Sequence, residues 1–524
     1  MLNLFNTRKR KLKKDLLPIS HEKESYYRAK IKILDIKDGE RLIAILNPEQ
    51  AAAFGINLHD KVILKKAGGK DFIVADVAIS SKVKTGEVAI YNDILEKLNF
   101  SEDEMISVSL ASSSTLTYEA IRKKMRGEEI SYEEMFSIIK DISENKLDDV
   151  MMTYYVASSF FYPTTDEEMY QTAKAMAECG VMFKYPKGEI IADKHCIGGV
   201  PGNETTMVLI PLIASLGIKI PKNFSKSITS PAATGECVNV LMDINFDQKG
   251  IEKLVAEQDC CLVWGGSLDL APADDKLIKV QYPLSMQSRA KVVSSIMAKK
   301  YAMGITHSLI DIPVGPTAKV TTMAEAKDWK QKFEYVGKTL GMKMSVMITK
   351  ADEVIGNGVG ASLQVREVLR ILQQHPERAM DLQNKILALA AQIIEDIGMA
   401  KGKKALEIAT QQLVSGKAWT KMQAIITAQN GNPDVDSETL PQGTHTYDLR
   451  ADHDGKMKSI NLHDVNAICR KLGCPIIDQA GMYLHKKVGN KIKKGEIIAT
   501  LYALDDTKLQ LGIERLYEKN PFTY

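Results

Sequence analysis

The chain has 524 residues, 45% of them hydrophobic and 26% charged. That is too long for one hydrophobic core, and the balance excludes a mainly disordered, collagen-like or membrane-embedded class. Lys and Arg number 69 against 66 Asp and Glu, so no strong overall field is available to attract nucleic acid.

Residues 1–26 form a basic tail with Arg8, Lys9, Arg10, Lys11, Lys13 and Lys14, and no apolar stretch follows it. This argues against a secretory signal and for a cytoplasmic protein. The longest apolar run, Met207 to Ile218, is interrupted by Pro211 and Ser215 and falls short of the ~18 residues of a membrane span, so no membrane partner is expected. Seven cysteines without C-x-x-C pairs indicate neither a disulfide framework nor a zinc site, and no metal is expected.

From 27 to 110, short β-rich runs (Ala29 to Leu34, Arg41 to Leu46, Lys61 to Lys65, Phe72 to Ala78) separated by Gly and Asp turns predict a small β-barrel-like domain. From 115 to 186 the pattern becomes amphipathic helix, with Ser131-x-x-Glu134 and Thr165-x-x-Glu168 each offering a capping-box start. Residues 187–430 alternate strand-like and helical runs, including Ile190 to Ala192, Thr206 to Leu216, Cys261 to Trp264, Ser308 to Ile312 and Met344 to Thr349, as a mostly parallel α/β domain does. A turn-rich linker leads to an α+β domain at 444–524. The fold class expected is therefore α/β multidomain: barrel, helical domain, parallel α/β domain and C-terminal α+β domain.

The most informative stretch, Asp193 to Thr206, follows a strand and opens a helix. Gly198 and Gly199 let backbone N–H groups approach an anion, the helix N-terminus adds partial positive charge, and Lys194 and Thr206 are further donors. Phosphate fits such a site, and a plain glycine-rich turn is the alternative. It is not a nucleoside-triphosphate loop, because no Lys stands directly before Thr205 or Thr206. A second loop carries five hydroxyl residues, Ser225, Ser227, Thr229, Ser230 and Thr234, around Ile228, which can hold phosphate or sugar or remain a solvated loop with a helix cap. A third, Val263 to Asp275, is rich in glycine and acids that can steer a base or cap a helix. His195 beside the first loop can shuttle a proton near neutral pH. Cys196 reads as a small buried side chain.

The segments "DKHCIGGVPGN", "SITSPA", "VWGGSLDLAPADD", "SSIMAKK" and "THSLIDIPVGPTAKV", in this order, resemble the thymidine phosphorylase and AMP phosphorylase family, in its longer archaeal-type branch. The resemblance implies an active cleft between a helical and an α/β domain, a homodimer, no organic cofactor, and inorganic phosphate as a substrate beside a nucleoside or nucleotide. It also implies phosphate at Lys194, Gly198, Gly199, Thr206, Ser225 and Thr234. Ser227, Ile228, Thr229, Ser230, Ser295 and Lys319 then fall at substrate positions, with His195 and Lys299 in catalysis. Cys196 stands where the thymidine enzymes have Ser, and Gln287 where an Asp donates a proton in the AMP enzymes. An amide cannot donate that proton, so the expected reaction is thymidine-type: thymidine and phosphate give thymine and 2-deoxyribose 1-phosphate. A nucleoside 5′-monophosphate phosphorylase, giving a base and ribose 1,5-bisphosphate, is the alternative. A phosphoribosyltransferase of related fold and a non-catalytic carrier built on Gly489, Lys491 and Lys494 are the rivals. Ser295 and Lys299, four apart, share a helix face; Lys300, about 100° further round, is expected to serve as an uninvolved control.

Overall fold

The computed structural model describes residues 26–524 except 40, 67, 68, 70, 228, 229 and 282–287. Residues 1–25 of the expected basic tail, Ile228, Thr229 and Gln287 therefore lie outside the described residues, and Tyr26 already belongs to the first strand. The chain divides into two compact units, Met1–Phe161 and Tyr162–Tyr524.

In the first unit six strands, β1 (Tyr26–Leu34), β2 (Ile43–Leu46), β3 (Lys61–Lys66), β4 (Phe72–Ile79), β5 (Glu87–Tyr91) and β6 (Met105–Ala111), close into a barrel in the order β1-β5-β2-β4-β3-β6. The period-2 pattern explains the core: Tyr27, Ala29 and Ile31 of β1 point inward beside Val62, Leu64, Val88 and Val108, while Tyr26, Arg28 and Lys30 face water. Closure leaves no open sheet edge. Three helices follow, Thr115–Met125, Tyr132–Ser143 and Asp149–Phe161. The second starts in the expected capping box: the Ser131 hydroxyl accepts from the Glu134 N–H, and the Glu134 carboxylate accepts from the Ser131 N–H at 2.8 Å.

The second unit opens with the helix Asp166–Glu178, started by the reciprocal Thr165 and Glu168 box. Its centre is a parallel sheet. Strands β7 (Ala192–Cys196), β10 (His307–Val314) and β11 (Lys343–Lys350) run side by side in the order β11-β10-β7. The parallel pair β8 (Ile220–Phe224) and β9 (Cys260–Trp264) joins the other side of β7 through an Ile191 to Lys219 bridge. Successive strands thus step from β7 one way to β8 and β9, then the other way to β10 and β11. The reversal falls at β7, and in open α/β sheets ligands bind outside the carboxyl ends of strands at such a switch point.

The helix Thr206–Ala214 is apolar all round and buried all round, as that composition requires. It packs with Ala361–Leu372, Met380–Asp396, Lys403–Val414 and Lys417–Ala428 into the main core. The C-terminal part holds a four-stranded antiparallel sheet of residues 358–359, 481–484, 497–503 and 445–450, over its own core, with the helix Leu462–Leu472 packed on it.

Candidate active site

The sequence pattern ends the first strand of the α/β domain at Ala192, whereas β7 continues through Asp193, Lys194, His195 and Cys196. This correction matters because a strand alternates its side chains between two faces. Asp193 and His195 share one face; Lys194 and Cys196 share the other.

On the first face Asp193, 1% exposed, pairs with Lys222 of β8 at 3.2 Å and with Lys300 at 2.8 Å. Burial works against the Asp193 carboxylate, but the two ammoniums outweigh it and hold its pKa below the usual range. One carboxylate between two buried ammoniums leaves surplus positive charge. Burial pushes Lys222 down, Asp193 draws it back and Lys300 repels it, leaving its pKa at about 7. His195 is driven well below the usual imidazole range by burial and then by Lys300, Lys222, Lys194 and Lys299. At neutral pH it is an uncharged ring, able to orient a substrate hydroxyl or accept a proton and not to start as an imidazolium donor. Lys300 cannot serve as an uninvolved control: it is 1% exposed and engaged with Asp193.

On the other face Lys194, 1% exposed, donates to the Thr205 hydroxyl, and burial lowers its pKa. Asp311 of β10, opposite Cys196 in register, is fully buried and held by Lys385 at 2.9 Å and by the Thr349 hydroxyl at 2.6 Å. Glu204, 2% exposed, accepts from the Thr234 hydroxyl at 3.3 Å on either oxygen, and burial raises its pKa to about 7.

The connecting loop needs glycine where the pattern has it. Gly198 and Gly199 have φ of 84° and 91°, and a Cβ on Gly199 would lie 2.7 Å from Cβ of Lys319. Cys196 is half-buried, and its sulfur accepts from the Gly198 N–H at 3.4 Å and the Asn203 amide at 3.3 Å, so it ties the loop together. Lys319 sits over the Trp329 ring at 5.9 Å and, among the described residues, makes no ion pair. Thr206, buried, opens the helix whose first amides face the loop end.

In the second loop Ser225 is exposed, while Ser227 donates to the Ser230 carbonyl and meets its hydroxyl at 2.9 Å. Glu236 fastens this loop by accepting from the N–H groups of Ser227 at 2.8 Å and Ala233 at 2.9 Å. Ser295 and Lys299 do share a helix face, and both converge on Asp274, at 2.6 and 2.7 Å. Burial opposes the Lys299 ammonium, yet Asp274 and Asp275 raise its pKa. Asp193, Glu204, Lys222, Asp274, Asp311 and Lys385 were not legible as site residues. Asp193 and Glu204 stood in the Asp193 to Thr206 stretch, Asp274 in the acid-rich third segment and Asp311 in the segment 306–320, none singled out there; Lys222 and Lys385 gave no local signal, being brought in by packing.

Among the described residues no group of three or more His, Cys, Asp or Glu side chains is placed to hold a metal ion, and no helix is long and apolar enough to cross a membrane. Residues 118–180 match the helical bundle domain and 188–419 the a/b domain of the glycosyl transferase family, and 456–523 match the pyrimidine nucleoside phosphorylase C-terminal domain. That last match accounts for the segment around Lys491 that suggested a carrier. A Pyrococcus furiosus protein named AMP phosphorylase is 38% identical over 486 residues, 93% of this chain and 95% of its own. The Thermofilum pendens protein of that name is 36% identical over 474 residues, 90% of each chain. A Bradyrhizobium diazoefficiens protein provisionally named thymidine phosphorylase is 39% identical over 394 residues, 75% of this chain and 76% of its own. The solved anthranilate phosphoribosyltransferase of Thermus thermophilus shares the fold, with a TM-score of 0.51 at 13% identity over 60% of this chain and 99% of its own. The chain belongs to the thymidine phosphorylase and AMP phosphorylase family, in the longer branch that carries an N-terminal barrel, and is an enzyme of the nucleoside phosphorylase type.

Proposed function

We propose that the protein is a nucleoside 5′-monophosphate phosphorylase of the AMP type, reversing the order expected from Gln287. The observation that carries this reading is the relationship over 93% of the chain to a protein named AMP phosphorylase. The charge around β7 supports it. A nucleoside phosphorylase binds one anion, whereas a nucleotide phosphorylase binds two, and Lys194 and Lys319 are two cations that make no ion pair among the described residues. The hydroxyls of Ser225, Ser227 and Ser230 supply neutral donors for the second anion.

In this reading an oxygen of inorganic phosphate, held by Lys194, the Gly198 and Gly199 amides, Thr206 and Thr234, forms a bond to the anomeric carbon. The bond from that carbon to the base nitrogen breaks, the electron pair leaves with the base, and that nitrogen takes up the proton that hydrogenphosphate gives up on becoming an ester. The products are free base and ribose 1,5-bisphosphate, with no organic cofactor. The site acts by alignment and by fixed positive charge that needs no reorganisation during reaction. The neutral His195 ring orients the sugar, and Lys299 with Ser295 lies at the base end. We also propose that the protein works as a homodimer in the cytoplasm.

The first test is chromatographic base release from AMP, CMP, uridine and thymidine with and without phosphate. Phosphate-dependent release from AMP ahead of thymidine is the expected result. Thymidine ahead of AMP restores the thymidine-type reading, and release without phosphate overturns phosphorolysis.

A further inference from the structure

Glu204 lies at the heart of the proposed phosphate site without an assigned task. It precedes Thr205, which receives the Lys194 ammonium, and it holds Thr234, the first residue of the helix Thr234–Leu241. Glu204 is 2% exposed, and its carboxyl reaches the Thr234 hydroxyl with both oxygens at 3.3 Å. Water therefore does not settle which way the hydrogen bond between them runs.

A phosphate oxygen is an acceptor, so Thr234 helps bind phosphate only if its O–H points at the ligand. An ionised carboxylate has no hydrogen to give, and it draws the Thr234 O–H to itself. A protonated carboxyl donates its own hydrogen to the Thr234 oxygen and frees the threonine hydrogen for phosphate. We propose that Glu204 is a positioning residue for phosphate, and that phosphate binds when Glu204 takes up a proton and turns the Thr234 hydroxyl from donor to Glu204 into donor to the ligand. This rests on the phosphorolysis reading, which places phosphate at Thr234.

The surroundings fit this role. Lys194 on β7 is the cation that faces Glu204. The Met207 N–H and the Cys237 thiol donate to the Glu204 carboxyl, Glu236 and Asp478 act on that thiol through their charges, and Gln364 of the helix Ala361–Leu372 donates to the Cys237 sulfur at 3.4 Å. Burial outweighs Lys194 and brings the proton affinity of Glu204 to about 7, where both forms are populated near neutrality. An ionised Glu204 would also offset the Lys194 charge that attracts phosphate. Both effects have one sign: affinity falls as pH rises through about 7.

The test is isothermal titration calorimetry of inorganic phosphate into the full chain and into Glu204→Gln across this pH range. The Gln amide donates permanently, as the protonated acid does. Taking the ratio of the two dissociation constants at each pH cancels the ionisation of phosphate itself. Wild type and Glu204→Gln should agree below the transition, and the variant should bind about tenfold tighter above it, the worth of one hydrogen bond to a charged acceptor. A ratio that is constant with pH means a merely structural Glu204 and overturns the proposal. In the Thr234→Val background the pH-dependent ratio should shrink to the part that the Glu204 charge exerts on Lys194; an undiminished ratio would mean a field effect alone and would also overturn the positioning role. If Glu204→Gln does not fold, calorimetry of wild type against Thr234→Val decides, since wild type alone should show the additional loss of affinity above neutrality. The readout needs no turnover, so absence of base release from every nucleotide and nucleoside would defeat the phosphorolysis reading separately.

Discussion

A single lysine can be buried for opposite reasons in this molecule. Lys300 is consumed by Asp193, whereas Lys194 donates to the Thr205 hydroxyl and, among the described residues, makes no ion pair. Lys194→Ala is therefore expected to damage phosphate use far more than nucleotide binding. Loss of one charge-assisted hydrogen bond costs about 1.5–3 kcal/mol, or about one to two decades in kcat/KM for phosphate. Steady-state kinetics with each substrate varied in turn checks this, and equal losses for both substrates would remove Lys194 from the phosphate. The same contrast explains why Lys300 is not the uninvolved control that its place one residue past Lys299 suggests. The helix turns it away from Lys299, and that direction leads into Asp193 and not into water.

At the scale of elements, the glycine loop after β7 distinguishes two residues that look alike in the sequence. Both Gly198 and Gly199 have positive φ, but a Cβ on Gly198 meets nothing within 4 Å, while one on Gly199 strikes the side chain and backbone of Lys319. Gly198→Ala should cost about 1–2 kcal/mol from backbone conformation alone. Gly199→Ala adds an overpacking cost of about 1–3 kcal/mol and moves Lys319 from its place. Thermal melting with and without phosphate checks both: the Gly198 variant should keep a phosphate-dependent rise in Tm, and the Gly199 variant should lose most of it. The two capping boxes were legible because their partners are three residues apart, and the structure contains both reciprocal pairs. The end of β7 was not legible, since Asp193-Lys194-His195-Cys196 has no apolar alternation. Those polar residues are tolerated in a central strand because Lys222, Lys300 and Thr205 provide partners from other elements.

For the molecule as a whole, burial of acids sets a pH dependence of stability. Glu367, 1% exposed on the helix Ala361–Leu372, has its pKa raised from 4.5 to about 7, burial outweighing Arg370 and Arg366. A raised folded-state pKa means that the folded protein holds a proton the unfolded chain releases. The associated stability is fully present below about 4.5 and is lost as pH rises through about 7. Glu367→Gln removes that dependence. It should leave Tm nearly unchanged at about pH 4 and raise stability by at most about 3 kcal/mol at about pH 8. Calorimetric scans at the two pH values check the sign; a variant less stable at the higher pH would show that Arg370 outweighs burial.

What the amino-acid order determined is what depends on neighbours along the chain. The barrel strands announced themselves by β-rich runs between Gly and Asp turns, the helices by their caps, the loop after β7 by Gly198 and Gly199, and the shared face of Ser295 and Lys299 by their spacing of four. The family resemblance was legible for the same reason, because its motifs are contiguous. Tertiary structure decided the charge state of the site. Lys222, Asp274, Asp311 and Lys385 come from separate segments, and a pKa depends on burial and on the nearest charges in space. The neutral His195 ring follows from burial and four lysines gathered by folding, and Glu204 follows from a carboxyl sealed against Thr234. Sequence separation carries no information about those distances, so the chemistry of these groups became readable only when the sheet reversed direction at β7.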